Sequence, residues 1–354
     1  MAVLSKVAFL AIAAAAMVGG ARKEGGFKEL GNALVRWSGV AEKGGIWRIL
    51  AILFALGNLK NLPFVWHLRF VRAFSYQLYY QPTPIPPSSL FKPIVTSTRT
   101  PIMEMDYNLH KSNSTYFSDM DISRTHLFTA LIRNAIHKNS RLTGHRREFE
   151  GMGATEGTAA SEKRGKHMIA LGGISCMFKK EILPYQKFEM WTRLLSWDRK
   201  WFYLVTHLVR PGVGAPESYS LQPWKKGVKR VEKVDREKLK GAVFATALAK
   251  YVVKKGRITI PPEQALLDAD MVPIKPEGWT YNPDLGHANG SANGDVGGVL
   301  PQTEGEEWTW DIIEAERLRG LQFAENFAAL EGLHEVWDGG EKGVLGEYPD
   351  LLWA

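Results

Sequence analysis

The stretch Asp106-Tyr107-Asn108-Leu109-His110-Lys111-Ser112-Asn113-Ser114-Thr115-Tyr116-Phe117-Ser118-Asp119-Met120-Asp121-Ile122-Ser123-Arg124 joins an alternating run, residues 94–105, to a long helix-forming run. At the joint sit one carboxylate, one imidazole and a cluster of small polar side chains. A strand that hands over to a helix in this way points backbone N–H groups, and the positive end of the helix dipole, at whatever lies above. Beside such donors Asp106 has two chemical uses. It can attack a carbonyl or activate a water while the donors hold the oxyanion. The same residue types also serve as helix caps and turn formers, and the spacing alone leaves both roles open.

Working outward, residues 114–139 contain no Gly or Pro. Tyr116, Met120, Leu127, Leu131 and Ala135, with Phe117, Phe128, Ile132 and Ile136 beside them, recur at steps of three and four. This wide apolar band predicts a helix buried against a sheet. Gly144 and the polar residues 148–166 read as a mobile insertion. Four strand-like runs follow, at 167–178, 187–196, 201–209 and 241–253, which with 94–105 make five antiparallel strands. Gly172-Gly173 marks a bulge or a close backbone approach, and Trp197-Asp198-Arg199-Lys200 reads as a hairpin turn.

The spacing Asp106-x-x-Leu109-His110-x-x-Asn113-x-x-Tyr116-Phe117-x-x-x-Asp121-x-x-Arg124 resembles the Asp-x-x-Gly-His-x-x-Asn-x-x-Tyr signature of hotdog-fold acyl thioesterases of the 4-hydroxybenzoyl-CoA thioesterase superfamily. The likeness is greatest to the membrane-anchored branch that includes thioesterase superfamily member six, and to thioesterase-like proteins of fungal secondary metabolism. Gly172-Gly173-Ile174, Glu189-Met190-Trp191-Thr192, Leu195-Ser196-Trp197-Asp198 and Lys200-Trp201 resemble strand motifs of that branch. The resemblance covers roughly residues 45–262.

It implies an α+β hotdog, an antiparallel sheet wrapped around one central helix, that pairs into a homodimer. The implied activity is hydrolysis of an acyl thioester carried by coenzyme A or a carrier protein, with no cofactor. Asp106 then acts on the thioester carbonyl as nucleophile or general base, and His110 orients the acyl group or donates to its oxygen. Asn113 caps the helix while lining the pocket, and Tyr116 faces the acyl chain. Asp121 takes part in chemistry, or forms a local ion pair with Arg124. Gly172 and Gly173 lie along the substrate. Glu104 is a second candidate carboxylate on the same strand. Leu109 departs from the pattern, which has glycine there to permit a positive φ. Two other readings remain: a non-catalytic hotdog that binds acyl chains at a membrane, and a hotdog dehydratase.

The remainder of the 354 residues divides into a leader at 1–25, a membrane-associated helical segment and Pro-rich spacer at 26–89, the hotdog at 90–262, a flexible linker at 263–306 and a helical extension at 307–354. The apolar run 7–18 is shorter than the about 20 residues a membrane span needs, so signal peptide, short signal anchor and buried helix all compete. A second apolar run, 49–59, precedes aromatics mixed with Arg and His, a pattern that suits a helix lying in the membrane interface. Basic residues after the first run place the rest of the chain in the cytosol, at the endoplasmic reticulum or another endomembrane, with secretion as the alternative. The one cysteine, Cys176, precludes an internal disulfide and sits in an apolar run as an inert thiol. Nine scattered histidines lack metal-ligand spacing, so no metal site is expected. The net charge of +8 is spread without a nucleic-acid motif and fits anionic lipid or coenzyme A phosphates.

Overall fold

The computed structural model describes residues 43–150, 167–228, 236–282 and 308–336, together with isolated positions between 32 and 39 and at 345 and 347; for residues 141–150, 236 and 335–336 it describes the backbone alone. These residues fall into two units, one up to Val65 with Pro101–Met103, the other Trp66–Thr100 with Glu104 onward.

The first unit carries helix α1 (Gly45–Gly57), which corresponds to the second apolar run. Asn58 ends it: its side-chain amide donates to Phe54 O at 2.8 Å, and its Oδ1 accepts the N–H of Met103 at 2.9 Å. Ile46, Trp47, Leu53 and Phe54 are exposed, Trp47 at 72%. The run at 7–18 lies outside the described residues. Among the described residues no helix is long and apolar enough to cross a membrane.

The second unit is built on helix α3 (Asn113–Glu150), 38 residues long. It follows α2 (Val65–Ser75) and strand β1 (Ile94–Arg99). Because helical hydrogen bonding tolerates a single glycine at a cost of about 1 kcal/mol, α3 continues through Gly144. The expected insertion therefore gives its first three residues to the helix, and 151–166 lie outside the described residues. Leu127, Phe128, Leu131 and Ile132 of α3 are buried against Leu194, Phe202, Leu204 and Tyr251. Nearer its N-terminus, Tyr116 and Met120 pack on Phe188, Met190, Leu208 and Phe244. Full burial of each such side chain contributes about 1.5–3 kcal/mol.

The sheet comprises β2 (His167–Phe178), β3 (Lys187–Trp197), β4 (Phe202–Val209), β5 (Val243–Lys255) and β6 (Ile258–Ile260) with β1, in the order β1-β3-β4-β5-β2, every pairing antiparallel. The sixth strand, β6, turns back on the end of β5 through Gly256-Arg257, beyond the five expected. This is a hotdog. Among the described residues the sheet's path ends at β1, which pairs with β3, and at β2, which pairs with β5. The hairpin turn between β3 and β4 is as expected: Asp198 Oδ1 accepts the N–H groups of Lys200 and Trp201 at 2.7 and 2.6 Å, and the Tyr203 hydroxyl donates to Oδ2.

Two boundaries differ from the sequence reading. The Pro-rich segment, expected as a stiff spacer outside the hotdog, is held to α3 at its start, where Arg133 donates to Gln81 O and Thr83 O at 3.1 and 2.9 Å. Residues 263–282 are not linker at their start: helix α5 (Pro262–Asp268) follows the short α4 (Arg236–Gly241) and buries Ala265 and Leu266 in the core. The sequence signal misled because Pro261-Pro262 starts this helix rather than ending the domain. The remaining linker, 283–307, lies outside the described residues. The C-terminal extension forms α6 (Trp310–Ala328), which packs on the sheet. Gly320 there comes so close to Leu195 O that an added Cβ would stand 2.0 Å from it.

Candidate active site

Residues 104–112 fold as a tight hairpin, so the strand expected over 94–105 ends early and the joint after it closes on itself. β1 stops at Arg99, and a turn at Ile102–Glu104 leads into a bridge between Met105 and Lys111. Ser112 N–H donates to Glu104 O at 2.7 Å, Asp106 N–H to His110 O at 2.9 Å, and Leu109 N–H to Asp106 O at 3.1 Å. At the tip, Asp106 Oδ1 accepts the backbone N–H groups of Asn108 and His110 at 2.9 and 3.2 Å. Among the described residues nothing donates to Oδ2. One carboxylate oxygen fixes the orientation of the group, and the other carries no protein hydrogen bond among the described residues. Asp106 and His110 are both half-buried.

Leu109 adopts φ 60, the left-handed conformation that the glycine pattern calls for. A leucine there costs about 1–2 kcal/mol, and with 67% of its surface exposed it gains little from burial in return. The hairpin hydrogen bonds impose the conformation despite the side chain. Its N–H is spent inside the turn, so in this conformation Leu109 is not an oxyanion donor.

Glu104 is no rival base. It is buried, and Lys111 Nζ lies 2.5 Å from its Oε2 and 3.0 Å from Asp119 Oδ2. Arg69 of α2 completes the group at 3.1 Å from Asp119 Oδ1. Two cations thus match two carboxylates beneath the hairpin, a balance that interior charges require.

The other expected site residues separate. Asn113 is exposed as the first residue of α3, and Ser112 caps the helix instead, its carbonyl accepting the N–H and hydroxyl of Thr115. Tyr116 does not face an open channel: it is buried edge-on to Phe178, with Lys111 Nζ 5.3 Å from its ring centre. Burial, then the negative charges of its neighbours, push its hydroxyl up to about 12. Asp121 pairs with Arg124 at 2.6 Å, the local ion pair, roughly two helical turns beyond the hairpin. Gly172 forms the bulge in β2, where a Cβ would stand 2.1 Å from the Trp201 ring, while a Cβ on Gly173 would meet Lys250 and Phe327. These glycines admit neighbouring side chains and are not grouped with Asp106. The Cys176 thiol is pushed up to about 11 by burial. Among the described residues no cluster of His, Cys, Asp and Glu is placed to hold a metal ion.

Comparison with known proteins gives the hairpin and sheet a lineage. Residues 100–255 match the model of the family described as the thioesterase-like superfamily. The Probable thioesterase atnL of Emericella nidulans is 34% identical over 309 residues, spanning 85% of this chain and 91% of that protein. The chain belongs to the thioesterase-like superfamily. Thioesterase poxG of Penicillium oxalicum is 33% identical across 85% of the chain and 92% of its own length. Among solved structures, the YbaW probable thioesterase of Escherichia coli aligns over 50% of this chain and 96% of that one, with 11% identity and a TM-score of 0.29.

For a thioesterase-like chain, the sequence reading missed the buried quartet of Arg69, Glu104, Lys111 and Asp119. A signal was present. Lys111 is the one lysine or arginine of the polar joint, seven residues from Glu104 and eight from Asp119. Only the hairpin, which brings Glu104 and Lys111 face to face, makes the pairing visible.

Proposed function

We propose that this protein is an acyl-thioester hydrolase in which Asp106 is the catalytic carboxylate, acting on an acyl group carried by coenzyme A or by a carrier protein. The observation that carries the reading is the Asp106 carboxylate itself, with Oδ1 tied by two backbone N–H groups and Oδ2 unengaged among the described residues. Oδ2 takes a proton from a water. The resulting hydroxide forms a C–O bond to the thioester carbon, the tetrahedral oxyanion collapses, and the C–S bond breaks to release thiolate. A thioester carbon is electrophilic without metal help, so one oriented carboxylate suffices as base. Thiol release from a panel of acyl-CoA and acyl-pantetheine substrates tests the reading. Release above the rate without protein is expected, and none across the panel contradicts it.

Two finer features belong to the same proposal. The edge strand β2 supports a homodimer, since Leu171, Met177 and Phe178 leave apolar surface along it, Met177 at 63% exposure. Light scattering on the purified chain should then give twice the monomer mass. The exposed apolar side chains of α1 support attachment to the cytosolic face of an endomembrane, and flotation with anionic vesicles should carry the protein upward. A second reading, a hotdog that binds acyl chains without cleaving them, draws on the spent N–H of Leu109. Tight acyl-CoA binding with no thiol release would favour it.

A further inference from the structure

We propose that the groove around the edge strand β1 is a second binding site, apart from the Asp106 hairpin, for a hydroxylated long-chain carboxylic acid. Ile94 and Thr96 on the helix side of β1, and Val95 and Ser97 on the other, line one groove of about 1760 Å³. Sites for drug-sized ligands are about 300–1,000 Å³, so this one suits a longer molecule. The loop from Val213 to Gln222 also lines it, and a hydrogen bond of 2.9 Å between Ser220 and Ser89 ties this loop to the segment before β1.

The groove's helix side is apolar, with Ile85, Ile94, Leu127 and Ala130 offering contact to a hydrocarbon chain. Two residues of the same lining, Gln77 and Thr96, carry stranded oxygens. Gln77 Oε1 and Thr96 Oγ1 are buried with no hydrogen-bond partner among the described residues, and Gln77 as a whole is 5% exposed. A buried polar atom left unpaired costs about 1–3 kcal/mol, which points to a partner arriving from outside. The other end of the Gln77 amide meets His126 Nδ1 at 3.1 Å. Whichever way that amide is turned, one end faces the imidazole and the other faces nothing. A hydroxyl both donates and accepts, so it satisfies either orientation, and it serves Thr96 equally well; a carbonyl or an ammonium serves only one.

Lys92, Lys187, Lys225 and Lys240 line the same groove against Glu189 and Glu217, a balance that favours an anionic head. Hydrocarbon body, hydroxyl and carboxylate together describe a hydroxy acid. Hydrolysis of a hydroxyacyl thioester releases such a molecule, and this link alone rests on the hydrolase reading.

Isothermal titration of the full chain with dodecanoate, 3-hydroxydodecanoate and 12-hydroxydodecanoate tests the site. At least one hydroxy acid is expected to bind about tenfold more tightly than dodecanoate, in the wild type and in Asp106→Asn alike. Gln77→Leu removes the stranded amide together with its bond to His126, is expected to keep a single cooperative melt, and should erase the preference. Lys187→Glu combined with Lys225→Glu should weaken all three acids. No binding, equal binding of hydroxylated and plain acids, or a preference that survives Gln77→Leu would each overturn the proposal. Binding intact with no thioester hydrolysis would instead remove the catalytic reading and leave this one standing.

Discussion

Lys111 Nζ lies 2.5 Å from Glu104 Oε2, and both side chains are shut away from solvent. The ammonium also reaches Asp119, so one buried cation ties the base of the Asp106 hairpin to α3. Position of the candidate catalytic carboxylate and integrity of this ion group are thereby the same structural question.

Lys111→Met takes from the buried carboxylates of Glu104 and Asp119 the ammonium they share. Removing one partner of a buried pair costs about 3–5 kcal/mol. Chemical denaturation should show a loss of that order, and adding Glu104→Leu should recover part of it. A single variant as stable as the wild type would show that the group does not hold the hairpin.

Leu109 supplies the opposite case, a residue that strains the fold. Leu109→Gly relieves the left-handed backbone at φ 60, offset in part by the unfolded-state entropy of glycine. The melting temperature should stay level or rise, corresponding to at most about 1 kcal/mol. Leu109→Val, branched at Cβ, should melt lower than either. If glycine destabilises strongly, the left-handed turn is not the resting conformation.

Acid should weaken the fold through two histidines. Burial, followed by the charge of Arg72 for His126 and of Arg193 for His207, lowers each to about 4 from the usual 6.5. The unfolded chain therefore binds these protons at a higher pH than the folded one. Their effect is absent above about pH 6.5 and grows as pH falls toward 4. Melting temperature followed from pH 7.5 to 4.5 should fall on that limb, and His207→Gln should flatten it. A limb unchanged by His207→Gln would take that histidine out of the account.

The parts of this fold that were legible in the sequence are those governed by local periodicity. The three- and four-step spacing from Tyr116 to Ile136 located α3, and the Asp198 turn was readable because aspartate bonds its own following backbone. Long-range closure was not legible. Pro101 is the one local mark that residues 100–105 turn rather than continue the strand, and nothing local shows that this turn sets Glu104 opposite Lys111. Asp106 and His110 could be brought together from spacing because the hairpin is short. For Tyr116 the spacing gave only an apolar helix face, and the burial of its ring edge-on to Phe178 is a long-range contact that no local pattern carries.

Asp106 as base is the claim on which the functional account turns. The direct measurement is thiol release by Asp106→Asn and Asp121→Asn beside the wild type, on the best acyl thioester, with all three shown to melt alike. A loss of about 10²–10⁴-fold in kcat for Asp106→Asn, with Asp121→Asn close to wild type, is the predicted result. Undiminished turnover by Asp106→Asn, or an equal loss in both variants, would contradict it.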